Sequence, residues 1–152
     1  MSETELKNGR AMRRKLLGGA YVDRIAATTY KDPPMQKFID LASETIFGAL
    51  WTRPGLDLKT RTLITVISDV ATGSDEELEI HLRMALRQGW TEEELTEAIL
   101  HLLGYVGAPW VRGAMLVATK LFQEVRQEVR QEVRQEIPQE SHGEMREDGS
   151  RS

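Results

Sequence analysis

Apolar side chains recur every three or four positions along most of this chain, and that spacing predicts α-helices. No stretch shows a sustained alternation of apolar and polar residues, rich in β-branched side chains, that would indicate a strand. The pattern therefore predicts an all-α protein, a compact bundle of six or seven helices.

Glycine, proline and capping residues set the predicted ends of these helices. Asp57 precedes the fourth helix as an N-cap. Thr91 and Glu94 have the spacing of a capping box, in which each side chain accepts a hydrogen bond from the other residue's backbone. The predicted helices cover about residues 3–17, 22–29, 33–51, 57–73, 74–89, 91–104 and 109 onward.

The C-terminal segment differs in composition from the rest of the chain. From residue 123 it repeats QEVR, and a period of four places Glu over Glu and Arg over Arg, so the repeat gains no i,i+4 ion pairs. We therefore expect one helical domain at 1–122, a frayed extension of its last helix at 123–137, and a disordered tail at 138–152.

Composition narrows the classes of function. Cysteine is absent, which excludes disulfides and catalysis by a cysteine thiolate. The net charge of −4 gives no general attraction for nucleic acid, and no apolar run reaches the roughly 18 residues that span a membrane. Since the N-terminal segment also lacks the apolar run of a secretory signal, we expect a cytoplasmic protein that binds neither nucleic acid nor membrane.

The fifth predicted helix carries the most informative polar residues. On a helical wheel it has one apolar sector of Leu78, Leu82, Ala85 and Leu86, and a second of Ile80 and Met84. The polar stripe between these sectors contains Glu77 and His81, which are four residues apart, so the carboxylate can orient the imidazole. The same pattern also fits a Glu-His pair that only satisfies itself at a helix interface. Glu97 and His101 repeat the spacing on a polar face and are expected at the surface.

Motifs for metals and cofactors are missing from the sequence. It contains no HExxH motif, no Glu-x-x-His spacing of di-iron bundles, no glycine-rich phosphate loop and no GxSxG elbow. We therefore expect neither a metal nor a cofactor.

Four segments, in the order in which they occur, resemble gamma-carboxymuconolactone decarboxylase, a family within the alkylhydroperoxidase-like superfamily. They are RRKLLGGAYVDR, GALWTRPGLDLKTRTLITV, EELEIHLRMALRQGWTEEELTEAIL and YVGAP, and the likeness covers about residues 9–122. The resemblance implies a compact all-helical, alkylhydroperoxidase-like subunit in a ring-like homo-oligomer, a trimer or a hexamer. It also implies cofactor-free decarboxylation of small carboxylated lactones.

The resemblance separates two branches of that superfamily. The peroxidase branch uses a CxxC pair and a relay Glu, and the corresponding positions here are Ser74, Glu77 and Thr62, which excludes thiol peroxidase chemistry. The chain also departs from the decarboxylase pattern, because Trp110 and Val111 replace a pair of small residues. The overall chemistry is therefore better supported than the substrate.

The implied reaction needs groups that hold an anionic substrate and that protonate a carbon after CO2 leaves. His81 is the expected proton donor, and Glu77 is expected to orient it. Arg53 and Arg61 are expected to hold the substrate, because a guanidinium binds a carboxylate in bidentate fashion. Trp51 and Trp110 are the expected apolar walls of the pocket for this small carboxylate or lactone.

Alternatives to these assignments stay open. Arg13, Arg14 and Arg24 are other candidate anion ligands. Arg53 would have only a structural role if it capped backbone carbonyls or formed an ion pair with Asp57. The same site also fits an isomerase, cyclase or dehydratase of a specialised pathway, whereas a non-catalytic helical oligomer would have its polar groups mutually paired. A closed polar cavity around the histidine with an arginine within reach would favour an enzyme.

Overall fold

The computed structural model describes residues 2–137, and within this range all regular structure is helical. The α-helices are α1 (Glu3–Leu17), α2 (Gly19–Thr28), α3 (Pro33–Ala42), α4 (Leu58–Thr72), α5 (Asp75–Arg87), α6 (Glu92–His101) and α7 (Ala108–Glu136). A π-helical segment (Ser43–Leu50) follows α3 directly, and a 3₁₀ turn (Leu102–Gly104) follows α6. The predicted all-α fold class is confirmed. Residues 138–152, where a disordered tail is predicted, lie outside the described range.

Local signals in the sequence account for most helix ends. Asp57 caps α4 by accepting a hydrogen bond from the Thr60 backbone at 2.7 Å, and Gly73 ends that helix in the left-handed conformation that favours glycine. Thr91 and Glu94 form the predicted capping box at the start of α6. These predicted ends are confirmed.

Two predicted boundaries are wrong. The second helix begins at Gly19 rather than near residue 22, because Gly18, at φ 86°, ends α1 and begins α2 within a single residue. The predicted helix at 33–51 is not α-helical throughout, since residues 43–50 form the π-helical segment. A π-helix bonds i to i+5, so residues four or five apart share a face. Ala42, Ile46, Phe47 and Trp51 consequently line one cavity.

Helix α5 lies between two apolar clusters. Leu78, Leu82 and Ala85 belong to a C-terminal cluster formed mainly with α4, α6 and α7. Met84, with Ile80 packed against it, belongs to an N-terminal cluster that includes α1, α2 and Trp51. The two apolar sectors predicted for this helix are therefore confirmed, and the polar stripe between them lies where the two clusters meet.

The π-helical segment packs on α1 at a backbone contact that only glycine permits. A Cβ atom added to Gly9 would lie 1.7 Å from the Ser43 carbonyl oxygen, and one added to Gly48 would lie 2.1 Å from the Glu5 carbonyl oxygen. Because both obstacles are backbone atoms, the helices would have to separate to admit a methyl group. The contact fixes the distance between α1 and the π-helical segment.

We expect Gly9→Ala to lower the free energy of unfolding by about 3 kcal/mol, as overpacking at a rigid contact does. This loss has the opposite sign to the gain of about 1 kcal/mol that alanine gives in a helix interior. Urea denaturation measures it. Gly104→Ala is the control, since a Cβ atom there meets nothing within 4 Å. Equal stability of the Gly9→Ala variant and the parent would contradict the close contact.

The QEVR segment forms ion pairs with neighbouring helices. Arg126 pairs with Glu92 of α6, and Arg83 of α5 pairs with Glu128 at 2.8 Å. The repeat's own spacing brings no opposite charges together, but the repeat does gain ion pairs with the helices that pack against it, so a repeat without stabilising ion pairs is the wrong expectation. Within residues 2–137, no helix is both long enough and apolar enough to cross a membrane.

Candidate active site

A cavity of about 250 Å³ lies beside the N-terminal cluster, and the polar stripe of α5 forms part of its wall. Most of its wall is apolar, with side chains from α2, α3, the π-helical segment and α5. Its polar lining residues are Arg13, Tyr30, Thr65, Glu77 and His81. The cavity is slightly smaller than the roughly 300–1,000 Å³ typical of drug-sized ligands. Its volume therefore suits a small organic molecule.

His81 and Asp69 form a buried pair at one side of this cavity. The His81 Nδ1 atom lies 2.5 Å from the Asp69 Oδ2 atom, and the side chains are only 17% and 10% exposed. An ionised carboxylate accepts but does not donate, so Nδ1 carries the proton and donates to Asp69. Within the described range Nε2 has no hydrogen bond, which leaves this nitrogen for a ligand. A carboxylate that orients an imidazole in this way is typical of acid-base catalysis.

The carboxylate that contacts His81 differs from the one expected. Glu77 lines the cavity but is exposed and forms no hydrogen bond with His81 in the described structure. The interpretation that Glu77 orients the ring is therefore corrected. The i,i+4 spacing makes that contact possible, but the tight turn at Gly73 brings Asp69 of α4 to the ring from the facing helix.

Arg13 is a buried guanidinium in the wall of the same cavity. The residue is 7% exposed, and its guanidinium lies over the rings of Tyr30 and Phe47, 5.6 and 5.8 Å from their centroids. Burial lowers the pKa of Arg13, and no carboxylate of residues 2–137 lies within ion-pair distance of it. Its neighbour on α1, Arg10, pairs instead with Asp40 at 2.7 Å.

Neither of the two predicted anion ligands lines this cavity. Arg61 donates hydrogen bonds to the Arg53 carbonyl at 2.8 Å and the Leu56 carbonyl at 3.3 Å, so within this chain it closes the corner before α4. Arg53 itself is exposed. The capping of carbonyls that was considered for Arg53 is thus performed by Arg61. Their role in substrate binding stays a prediction.

The two tryptophans occupy different environments. Trp51 is buried, lines the cavity and stacks on Phe47 with ring centroids 6.1 Å apart. Trp110 is half exposed and covers Gly73, where an added Cβ atom would lie 2.3 Å from its ring. Trp110 does not line the cavity within this chain, and its role as a pocket wall stays a prediction. His101 is exposed, as predicted.

Comparisons with known proteins show the family of this chain. Residues 36–120 match the model of the carboxymuconolactone decarboxylase family. The chain is 35% identical over 123 residues to 4-carboxymuconolactone decarboxylase of Acinetobacter baylyi, across 81% of this chain and 90% of that relative. The chain belongs to the carboxymuconolactone decarboxylase family. The resemblance drawn from the sequence motifs is thereby confirmed.

A second relative has a different named substrate. The chain is 35% identical over 119 residues to nitrosuccinic acid decarboxylase npaB of Metarhizium robertsii, across 77% of this chain and 80% of that relative. Both named relatives are decarboxylases, which supports the predicted enzyme class of carboxy-lyase. The absence of cysteine excludes the thiol peroxidase alternative, and Thr62, at the relay position, is buried and donates to the Lys59 carbonyl.

Asp69 was not assigned to the site from the sequence, and Arg13 was named only as one of three alternative anion ligands. The buried positions of α4 are Thr62, Val66, Asp69 and Val70. Those of α1 are Gly9, Arg13, Leu16 and Leu17. Both sets of buried positions have helical spacing. A charged residue that shares this spacing with apolar residues was therefore the sequence signal that could have identified Asp69 and Arg13. Asp69 lies inside the stretch matched by the carboxymuconolactone decarboxylase family model, whereas Arg13 precedes it.

Proposed function

We propose that this chain is a cofactor-independent decarboxylase of a small carboxylated lactone of the 4-carboxymuconolactone type, and that His81 protonates the product carbon. The observation that carries the proposal is the Asp69-oriented His81 in the wall of a cavity that also holds a buried arginine. A non-catalytic scaffold would have these polar groups mutually paired. Here His81 Nε2 and the Arg13 guanidinium have no such partners within residues 2–137.

The proposed reaction has two steps. The bond between the ring carbon and the departing carboxylate breaks, CO2 leaves, and the electron pair passes through the conjugated system to the lactone carbonyl as a dienolate. Protonated His81 then donates its Nε2 proton to a dienolate carbon and becomes neutral. A proton from solvent restores the imidazolium, so the sum is one proton consumed and one CO2 released.

Asp69 acts in this scheme as a positioning residue. By accepting from Nδ1 it fixes the orientation and tautomer of the ring, and it provides a counter-charge while the ring is protonated. Glu77 is proposed to return protons from solvent to His81, because it is exposed, lines the cavity and lies one helical turn away. Trp51 is proposed as an apolar wall that excludes water.

We also propose that the protein works as a homo-oligomer, a trimer or hexamer. Phe38 and Ile46 line the cavity yet are 57% and 43% exposed, and Leu41 and Leu50 beside them are also exposed. A second copy packed on this face would bury these side chains and close the wall. Arg53 and Arg61 could reach a cavity only across such a contact. Light scattering after gel filtration tests the assembly.

A second candidate substrate is nitrosuccinic acid, which the relative from Metarhizium robertsii favours. Loss of the carboxylate beside a nitro group leaves a nitronate, and its carbon must then be protonated. Both substrates therefore require the same two features of the site, a polar cavity that binds an anion and a positioned proton donor.

The proposal is tested by incubating the purified chain with 4-carboxymuconolactone and, separately, with nitrosuccinic acid. We expect stoichiometric release of CO2 from one of them, measured by a coupled assay, and the appearance of the decarboxylated acid by NMR. Turnover of one substrate alone would assign the specificity. No CO2 release from either acid would contradict the proposed function.

A further inference from the structure

Arg13 is the single arginine or lysine among the residues that line the His81 cavity. The next arginine along α1, Arg14, points to solvent and pairs with Asp23 at 2.6 Å, while Arg10 pairs with Asp40. Arg13, between them in sequence, is buried. The helix therefore places one guanidinium inside the protein and gives carboxylate partners to the two that remain outside.

An unpaired buried charge is costly. The faces of Tyr30 and Phe47 offset part of this cost through cation–π attraction, and burial lowers the pKa of the Arg13 guanidinium in keeping with its desolvation. Glu77 lines the same cavity but does not lie within ion-pair distance. The guanidinium thus lacks an anion, and a bound ligand can supply it.

The chemistry of decarboxylation limits which anionic group this can be. A carboxylate that leaves as CO2 loses its charge in the transition state, so a cation bound to it would stabilise the ground state more and slow the reaction. A carboxylate that stays on the product keeps its charge throughout. An arginine bound to that second group holds the substrate without opposing the chemical step.

We infer that Arg13 binds the second carboxylate of the substrate, the one that stays on the product, and that this contact discriminates against monocarboxylic acids. This inference rests on the proposed function and deepens it. The anchored carboxylate lies against Arg13 on the α1 side, and the departing carboxylate lies in the apolar part of the cavity within reach of His81. A monocarboxylic analogue that lacks the anchored group binds weakly for the same reason.

The kinetic test uses Arg13→Met, which keeps the apolar stem and removes the charge. Because the retained carboxylate is bound equally in the ground and transition states, we expect KM to rise about 100-fold while kcat changes less than about threefold. Arg13→Lys restores part of the binding, with KM raised about tenfold, since lysine keeps the charge but loses the bidentate geometry. A fall in kcat at unchanged KM would overturn the inference.

A binding test separates this inference from the proposed function. Succinate is expected to raise the melting temperature of the parent but not of Arg13→Met, while neutral succinamide raises neither. Without ligand, Arg13→Met should melt at or above the parent temperature, because an uncompensated buried charge has been removed. A lower melting temperature without ligand, or equal succinate stabilisation of parent and variant, would overturn the anchor.

Arg10→Met serves as the matched control, because Arg10 is exposed, lies one turn earlier on α1 and has a partly exposed partner, Asp40. Its KM and its succinate stabilisation are expected to stay within about twofold of the parent. If the parent decarboxylates neither acid but succinate stabilises it through Arg13, the proposed reaction fails and the carboxylate site stands. If the parent is active and succinate stabilises neither protein, the site fails alone.

Discussion

Replacing His81 by glutamine is expected to lower kcat by about a thousandfold, the usual contribution of a positioned general acid. Glutamine keeps a polar side chain of similar length, and its amide nitrogen can still donate to Asp69, so the helix interface is preserved. KM should change much less, because His81 acts in the proton transfer. The measurement is steady-state CO2 release on whichever of the two acids the parent decarboxylates.

The control for this substitution is His101→Gln, since His101 is exposed and outside the cavity. Its kcat should match the parent's. Circular dichroism of both variants establishes whether the fold persists. A folded His81→Gln variant with parental kcat would remove the imidazole from the proposed mechanism and leave CO2 loss to the cavity alone.

Local signals made most of the fold predictable. Helical periodicity gave the number and order of the helices, and the capping groups at Asp57, Gly73 and Thr91 gave their ends, because each of these acts through neighbours in sequence. The π-helical segment was not predictable in this way. It packs where Gly9 and Gly48 bring two backbones together, and that contact joins residues far apart in the chain.

The site was predictable in part. His81 was found because the two apolar sectors of α5 leave a polar stripe between them, a pattern that one helix contains in full. The partner of His81 was not predicted. Asp69 on α4 and Glu77 on α5 are both carboxylates near His81 in sequence, and which of them contacts the ring depends on how α4 packs against α5. The spacing rule favoured the carboxylate on the same helix, and the facing helix supplied the contact.

The sequence also did not show which arginine of α1 is buried. In the run MRRK, adjacent arginines look like one solvated face, yet Arg13 is buried and Arg14 is exposed. A rotation of 100° per residue separates their environments, and only the packing of α1 on the π-helical segment decides which one is covered. Arg53 and Arg61 were favoured because a guanidinium binds a carboxylate in bidentate fashion, a property that does not by itself bring a side chain to a cavity.

The second large expected effect on kcat is that of Asp69→Asn, which removes the carboxylate that contacts His81. We expect kcat to fall at least about a hundredfold, because an amide gives the protonated ring no counter-charge. By donating to Nδ1, the amide also disfavours the neutral tautomer with Nδ1–H that is left once Nε2 has given up its proton. The size and shape of the side chain are kept, so packing between α4 and α5 should persist. Nitrogen NMR of the histidine ring reports the tautomer independently of turnover.

Glu77→Gln is the matched control for Asp69→Asn, since it makes the same change from carboxylate to amide in the other carboxylate of the cavity. The ring tautomer of His81 should stay as in the parent, because Glu77 forms no hydrogen bond with the imidazole in the described structure. Loss of activity in this variant with an unchanged ring spectrum would agree with proton return by Glu77. A tautomer that changes with Glu77→Gln and not with Asp69→Asn would instead make Glu77 the partner of the ring, and the hydrogen bond across the two helices would then have no part in orienting it.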